Sequence, residues 1–234
     1  LARVVQRAPR MDEKRAKNVA LVEHLDDGIG RVLAALAETG LDKNTLVVFT
    51  ADNGGSLPHG QSNQPWRDGK QSHYDGGLRV PFMVRWPGHV PPGSKSDYAG
   101  LVFDLFPTFL EAAGAERSAE LDAVSLLPVL QGGAINAPRD LYFVRREGGL
   151  RYGGKSYEAL IRGQWKLLQN DPYSPLELYN LKTDPGENED LAGTQKKVLN
   201  DLAAALRAHI QRGGATPWQT PAGDDSMPPT IKDR

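Results

Sequence analysis

The residues able to do chemistry gather in one stretch of this 234-residue chain, Leu46 to Pro81. Asp52 offers a carboxylate and Asn53 an amide oxygen, side by side, directly after the apolar run Leu46-Val47-Val48-Phe49-Thr50. Adjacent hard oxygen donors suit Ca2+ or Mg2+, and no thiol or imidazole stands beside them. Asp52-Asn53-Gly54-Gly55 is equally what a strand closing in an Asp-Asn-Gly turn looks like. Lys70, near the end of the following loop, would bring a positive charge toward such a metal, although a loop lysine on its own also reads as a solvated one. His59 and His73 lie in the same loop, and an unperturbed imidazole titrates at about pH 6.5, within reach of acid–base work. Both read as loop histidines. His73, three residues from Lys70, is the better candidate for touching a substrate.

The elements that must position these groups follow from periodicity. The run before Asp52 is rich in β-branched residues and too short for a buried helix, so it reads as a central strand of a parallel sheet, buried on both faces. Ligands of open α/β sheets sit beyond the carboxyl ends of such strands, and Gly54 and Gly55 allow backbone to approach closely there. Upstream, Val19, Val22, Leu25, Ile29, Val32 and Leu36 recur at helical spacing, giving a helix from about Asp12 to Thr39 with an apolar stripe facing the sheet. Asp12 suits its N-cap and Gly40 its stop. His24, Asp26 and Asp27 ride on this helix, but consecutive carboxylates on a helix point different ways and face water. Leu1 to Arg10 reads as a loose lead-in. Val80 to Trp86 reads as another strand, and Asp104 to Gly114 as a helix with Pro107 in its first turn. Beyond Gly133, short strands at Leu141–Arg145, Tyr157–Arg162, Trp165–Gln169 and Leu176–Leu181 indicate an antiparallel meander, followed by a helix over Thr194–Arg212. Trp165 and Tyr179 read as core. Arg145, Arg146 and Arg151 mark either a substrate-side loop or a solvated hairpin.

Composition narrows the functional classes. Hydrophobic content of 39% and charged content of 24% describe an ordinary globular protein, and a formal net charge of −1 gives no overall reason to bind nucleic acid or anionic lipid. No apolar run is long enough to span a bilayer, and no signal peptide is visible at Leu1. Zero cysteine excludes disulfides and thiolate metal sites.

Three linked motifs carry a family resemblance. Thr50-Ala51-Asp52-Asn53-Gly54-Gly55, then Asn63-Gln64-Pro65-Trp66-Arg67-Asp68-Gly69-Lys70, then Tyr74-Asp75-Gly76-Gly77-Leu78-Arg79-Val80-Pro81 resemble the C-terminal half of a type I, formylglycine-dependent sulfatase of the alkaline phosphatase superfamily. The departures are Ala51, Trp66, Asp68 and Asp75 where the family usually has Ser, Leu, Gly and Glu. Further segments are similar too: Asp104 to Gly114, Asp122 to Gly132, Ile161 to Leu168, and Leu176 to Leu181 with Asp184-Pro185 and Glu187.

The resemblance implies an α/β fold. Residues 1–135 would be the C-terminal portion of an αβα sandwich with a mostly parallel sheet. Residues 136–214 would be a small α+β subdomain with a four-stranded antiparallel sheet and one helix, and 215–234 an irregular tail. It further implies Asp52 and Asn53 as Ca2+ ligands (Mg2+ being possible) and Lys70 as a catalytic and substrate-binding group on the sulfate and its leaving oxygen. The expected substrate is a sulfate ester of a sugar or an aryl compound. The family's nucleophile, made from Cys or Ser in C/S-x-P-S-R, has no counterpart in this sequence, nor has the N-terminal aspartate pair. The expectation is therefore one half of a larger sulfatase, inactive alone, with the other half as its partner and a periplasmic or secreted location. Two rivals remain: a phosphonate or phosphodiester hydrolase of the same superfamily, and a non-catalytic sulfatase-like binding protein.

Overall fold

The structure is a computed structural model, which describes residues 1–116, 121–146 and 156–214. The tail 215–234 and Arg151 lie outside the described residues. The chain forms two compact units, Leu1–Arg139 with Pro185–Glu187, and Asp140–Asp184 with the residues from Asn188 onward.

In the first unit, helix α1 (Ala2–Arg7) takes the place of the expected loose lead-in. Val4 is buried, and Arg3 and Arg7 pair with Asp27 and Glu23 on the next helix. Helix α2 spans Glu13–Glu38, and the Asp12 side chain accepts from the Arg15 N–H at 3.0 Å as its N-cap. Among the described residues the expected apolar stripe of α2 is only partly covered: Val19, Ile29 and Leu36 are half-buried, whereas Val22, Leu25 and Val32 are 61%, 54% and 59% exposed.

Strand β1 (Val47–Thr50) corrects the parallel-sheet expectation. Among the described residues its one neighbour is β2 (Phe82–Arg85), and the pairing is antiparallel, with Val48 opposite Val84 and Phe49 opposite Met83. All four β1 residues are half-buried rather than buried on both faces. An unbroken apolar run is common to both kinds of strand, and pairing direction depends on how the intervening chain returns. Here residues 51–81 return without a long crossover helix, through loops and the one-turn helix α3 (Asp75–Leu78).

Helix α4 (Leu105–Ala112) is locked to the segment ending in helix α5 (Leu127–Leu130) by polar groups at its start. The fully buried Asp104 carboxylate accepts from the Leu101 and Val124 N–H groups and from both ends of the Arg139 guanidinium, at 2.7 to 3.0 Å. Burial works against the Arg139 charge, but the hydrogen bonds and charge of Asp104, with a smaller contribution from Tyr98, together outweigh it, so the guanidinium pKa is raised. Thr108 Oγ1 donates to the Asp104 carbonyl and accepts from the Leu126 N–H at 2.8 Å.

The second unit follows the predicted meander closely. Strands β3 (Asp140–Arg146), β4 (Ser156–Arg162), β5 (Trp165–Gln169) and β6 (Glu177–Asn180) form an antiparallel sheet in that order. Helix α6 (Lys196–Gly214) packs Leu202, Ala203 and Leu206 on Leu160, Leu167 and Leu178. The alternation of the strands sends those leucines to one face. Trp165 is partly buried against this core and Tyr179 is buried outside that cluster, on the strand next to Leu178, so both are covered as expected.

Candidate functional site

Asp52 and Asn53 follow β1 directly. Asp52 is exposed, and its carboxylate has no hydrogen bond or ion pair to another described residue. Asn53 is half-buried and donates through Nδ2 to the Gly54 carbonyl at 2.9 Å, which leaves Oδ1 as the atom available to a ligand. Asp52 and Asn53 thus present two oxygens from consecutive residues. Donors of that kind fit a hard divalent cation in type and fall short of it in number. Among the described residues no group of three or more His, Asp or Glu side chains could hold a metal.

The turn carrying these oxygens is held by the two later motifs. The Gly54 N–H donates to the Gly77 carbonyl at 2.9 Å, and the Lys70 N–H donates to the Gly55 carbonyl at 3.0 Å. Gly54 and Gly76 approach so closely that a Cβ on Gly54 would collide with the Gly76 carbonyl oxygen, which is why no larger residue fits. Asn63 closes the arrangement from within the loop. Its Oδ1 accepts from the Gly55 N–H at 2.7 Å, and its Nδ2 donates to the carbonyls of Gly55 (2.8 Å) and Asp68 (2.9 Å). The loop runs through a cis Gln64–Pro65 bond. One amide side chain therefore fixes both the turn after β1 and the approach to Lys70.

The backbone of Lys70 is thereby tied to Gly55, close in sequence to Asn53, while its side chain is exposed and has no partner among the described residues. A solvated ammonium, a solvated carboxylate and a free amide oxygen, carried by one clamped turn and loop, can receive an anion together with a cation. The histidines separate. His73 is buried, 5% exposed, inside the packing of the loop, whereas His59 is exposed with Nδ1 2.7 Å from Ser56 Oγ. Asp26 and Asp27 are exposed on α2, in keeping with a solvated helix face.

Three contributors, Asn63, Arg67 and Glu187, escaped the chemical reading of the sequence. Arg67 lies over the Tyr74 ring, 3.8 Å from its centroid, and donates to the Glu187 carbonyl at 2.7 Å. Glu187 Oε2 accepts from the Asp75 N–H at 2.6 Å. Asn63 and Glu187 both stand inside motif text, and that was their only signal, since neither residue type nor spacing singles out a group acting through backbone.

Comparison with known proteins fixes the class. A family model described as Sulfatase matches residues 4–115, and one described as N-sulphoglucosamine sulphohydrolase, C-terminal, matches residues 63–213. The chain belongs to the sulfatase family. It is 34% identical to mouse steryl-sulfatase over 85% of its length and 33% identical to human arylsulfatase A over 86%. Among solved structures it resembles Ps i-CgsB in complex with k-i-k-neocarrahexaose, at a TM-score of 0.76 and 30% identity, over 88% of this chain and 44% of that one. It also resembles the phosphonate monoester hydrolase of Agrobacterium radiobacter, at 0.65 and 25%, over 86% of this chain and 42% of that one. The chain spans 38% of the length of the steryl-sulfatase and 45% of that of the arylsulfatase. No described helix is long and apolar enough to cross a membrane.

Proposed function

We propose that this chain supplies the C-terminal part of a sulfate-ester hydrolase, acting on sulfated carbohydrate or aryl sulfate. Residues 1–135 form part of its αβα catalytic sandwich and residues 136–214 its small subdomain. The observation that carries the reading is the double anchoring of one turn: Gly54 by Gly77, and Gly55 by Lys70 and Asn63. This anchoring brings all three motifs to the group that follows β1. Asp52 and Asn53 Oδ1 would hold Ca2+ (or Mg2+), which when bound supplies a Lewis acid and a template for the sulfate oxygens. The remaining ligands and the formylglycine nucleophile would come from the rest of the domain. Lys70 binds a sulfonyl oxygen and offsets the charge that builds on the leaving oxygen, a placement where a fixed cation contributes on the order of 3 kcal/mol. The exposed apolar residues of α2, with Phe106 and Met83 also 58% exposed, support the expectation that further polypeptide covers this unit. A protein solved in complex with its substrate D-glucosamine-2-N,6-O-disulfate, which this chain resembles at a TM-score of 0.69 and 28% identity, supports a sulfated sugar as substrate.

Lys70→Ala in the full-length protein is expected to lower kcat/KM for an aryl or sugar sulfate about a hundredfold or more. Hydrolysis by that variant at the parent rate would sink the assignment. The likeness to a phosphonate monoester hydrolase keeps a second reading in view, and relative turnover of a sulfate monoester and a phosphonate monoester by the parent decides between them.

A further inference from the structure

The segment Asp184-Pro185-Gly186-Glu187-Asn188 has no part in the chemistry above, yet it is built with care. The Asp184 carboxylate accepts from the N–H groups of Asn188 and Glu189, at 2.6 and 2.9 Å, and so closes a short loop. Glu187 inside that loop is fully buried and sits at φ 53, the left-handed region that a residue with a Cβ occupies at a cost. It makes contacts there to two segments of the first unit. Its carboxylate Oε2 accepts from the Asp75 N–H at 2.6 Å, and its carbonyl accepts from Arg67 Nη1 at 2.7 Å.

Both contacts lead to the candidate site. The Asp75 N–H opens α3, whose next residue, Gly76, donates to the Arg67 carbonyl at 2.9 Å. Gly77, one residue further, accepts from the Gly54 N–H beside Asn53. Arg67 in turn belongs to the loop that delivers Lys70. Glu187 therefore holds both segments that clamp the Asp52-Asn53 turn, the Asp75 segment through its buried carboxylate and the Arg67 loop through its carbonyl, although it lies far from them in sequence.

We infer that Glu187 is a positioning residue for the oxygen donors Asp52 and Asn53, acting through the Asp75 N–H and the Gly77–Gly54 hydrogen bond. The inference deepens the hydrolase reading and, for its activity readout, rests on it. Glu187→Gly is the informative change: glycine accepts φ 53 freely and keeps the carbonyl that Arg67 uses, so it removes the carboxylate alone.

In the full-length protein, Glu187→Gly is expected to raise the calcium concentration for half-maximal sulfate-ester hydrolysis about tenfold, and to quicken amide exchange at the Gly54 N–H about tenfold or more. Glu187→Gln keeps an acceptor and returns both quantities to within about threefold of the parent. Glu187→Asp, one methylene shorter, withdraws the acceptor on the same backbone and shows the same pattern at smaller size, so it serves if Glu187→Gly does not fold. Parental calcium dependence and parental Gly54 exchange in the Gly and Asp variants would overturn the inference. So would a loss of melting temperature with unchanged calcium dependence, the signature of a purely structural role. A parent that hydrolyses no sulfate ester defeats the hydrolase reading alone, and exchange at Gly54 then still decides the role of Glu187.

Discussion

Asn63→Ala tests the knot on which the site depends. The Asn63 amide makes three hydrogen bonds, of 2.7, 2.8 and 2.9 Å, and its two partner carbonyls and the Gly55 N–H belong to the turn and loop that flank the site. Each such bond contributes about 1 kcal/mol net, so truncation costs about 3 kcal/mol, and somewhat more if the Gly55 N–H finds no water. The cost falls on local opening of the loop, because Lys70 is tied to Gly55, the residue that loses its clamp. Native-state amide exchange of the Lys70 N–H is the direct assay. At about 1.4 kcal/mol per tenfold, the exchange rate is expected to rise about a hundredfold. Asn63→Asp retains the acceptor for the Gly55 N–H but sets a carboxylate oxygen against the Gly55 and Asp68 carbonyls, so it fails to rescue. An exchange rate within about threefold of the parent in Asn63→Ala, or full recovery in Asn63→Asp, would refute the clamp.

Other consequences are equally open to measurement. Gly54→Ala forces a Cβ into the Gly76 carbonyl, so the turn must shift, and calcium-dependent hydrolysis by the full-length protein is expected to fall at least about tenfold while overall folding by circular dichroism persists. Asp104→Ala strips the partner from a largely buried Arg139 and is expected to cost about 3–5 kcal/mol in urea unfolding. In the second unit, hydrogen bonds from Arg162 chiefly, against the opposing effect of burial, hold the Asp140 carboxyl below its ordinary pKa, with His209 adding to the lowering. A depressed carboxyl stabilises the fold above its unfolded pKa and loses that contribution as pH falls through the folded value. Arg162→Gln is therefore expected to be less stable than the parent at neutral pH, with the gap closing below about pH 4 under acid titration. A gap that stays constant to the end of that titration would refute the linkage.

Much of this protein is written locally. The capped helix α2, the strand before Asp52, the four-stranded meander and helix α6 each follow from periodicity and turn residues, because each is a short-range pattern that tertiary packing only had to accept. The same holds for the candidate donors, since Asp52 and Asn53 are adjacent in sequence and Lys70 sits in a recognisable motif. Tertiary structure alone decided the direction in which β1 pairs, because a run of apolar residues carries no record of how the chain returns to it. It alone buried His73, since burial belongs to whatever packs against a residue rather than to the residue. And it alone gave Asn63 and Glu187 their tasks, through hydrogen bonds to backbone groups that look the same at every position in the sequence.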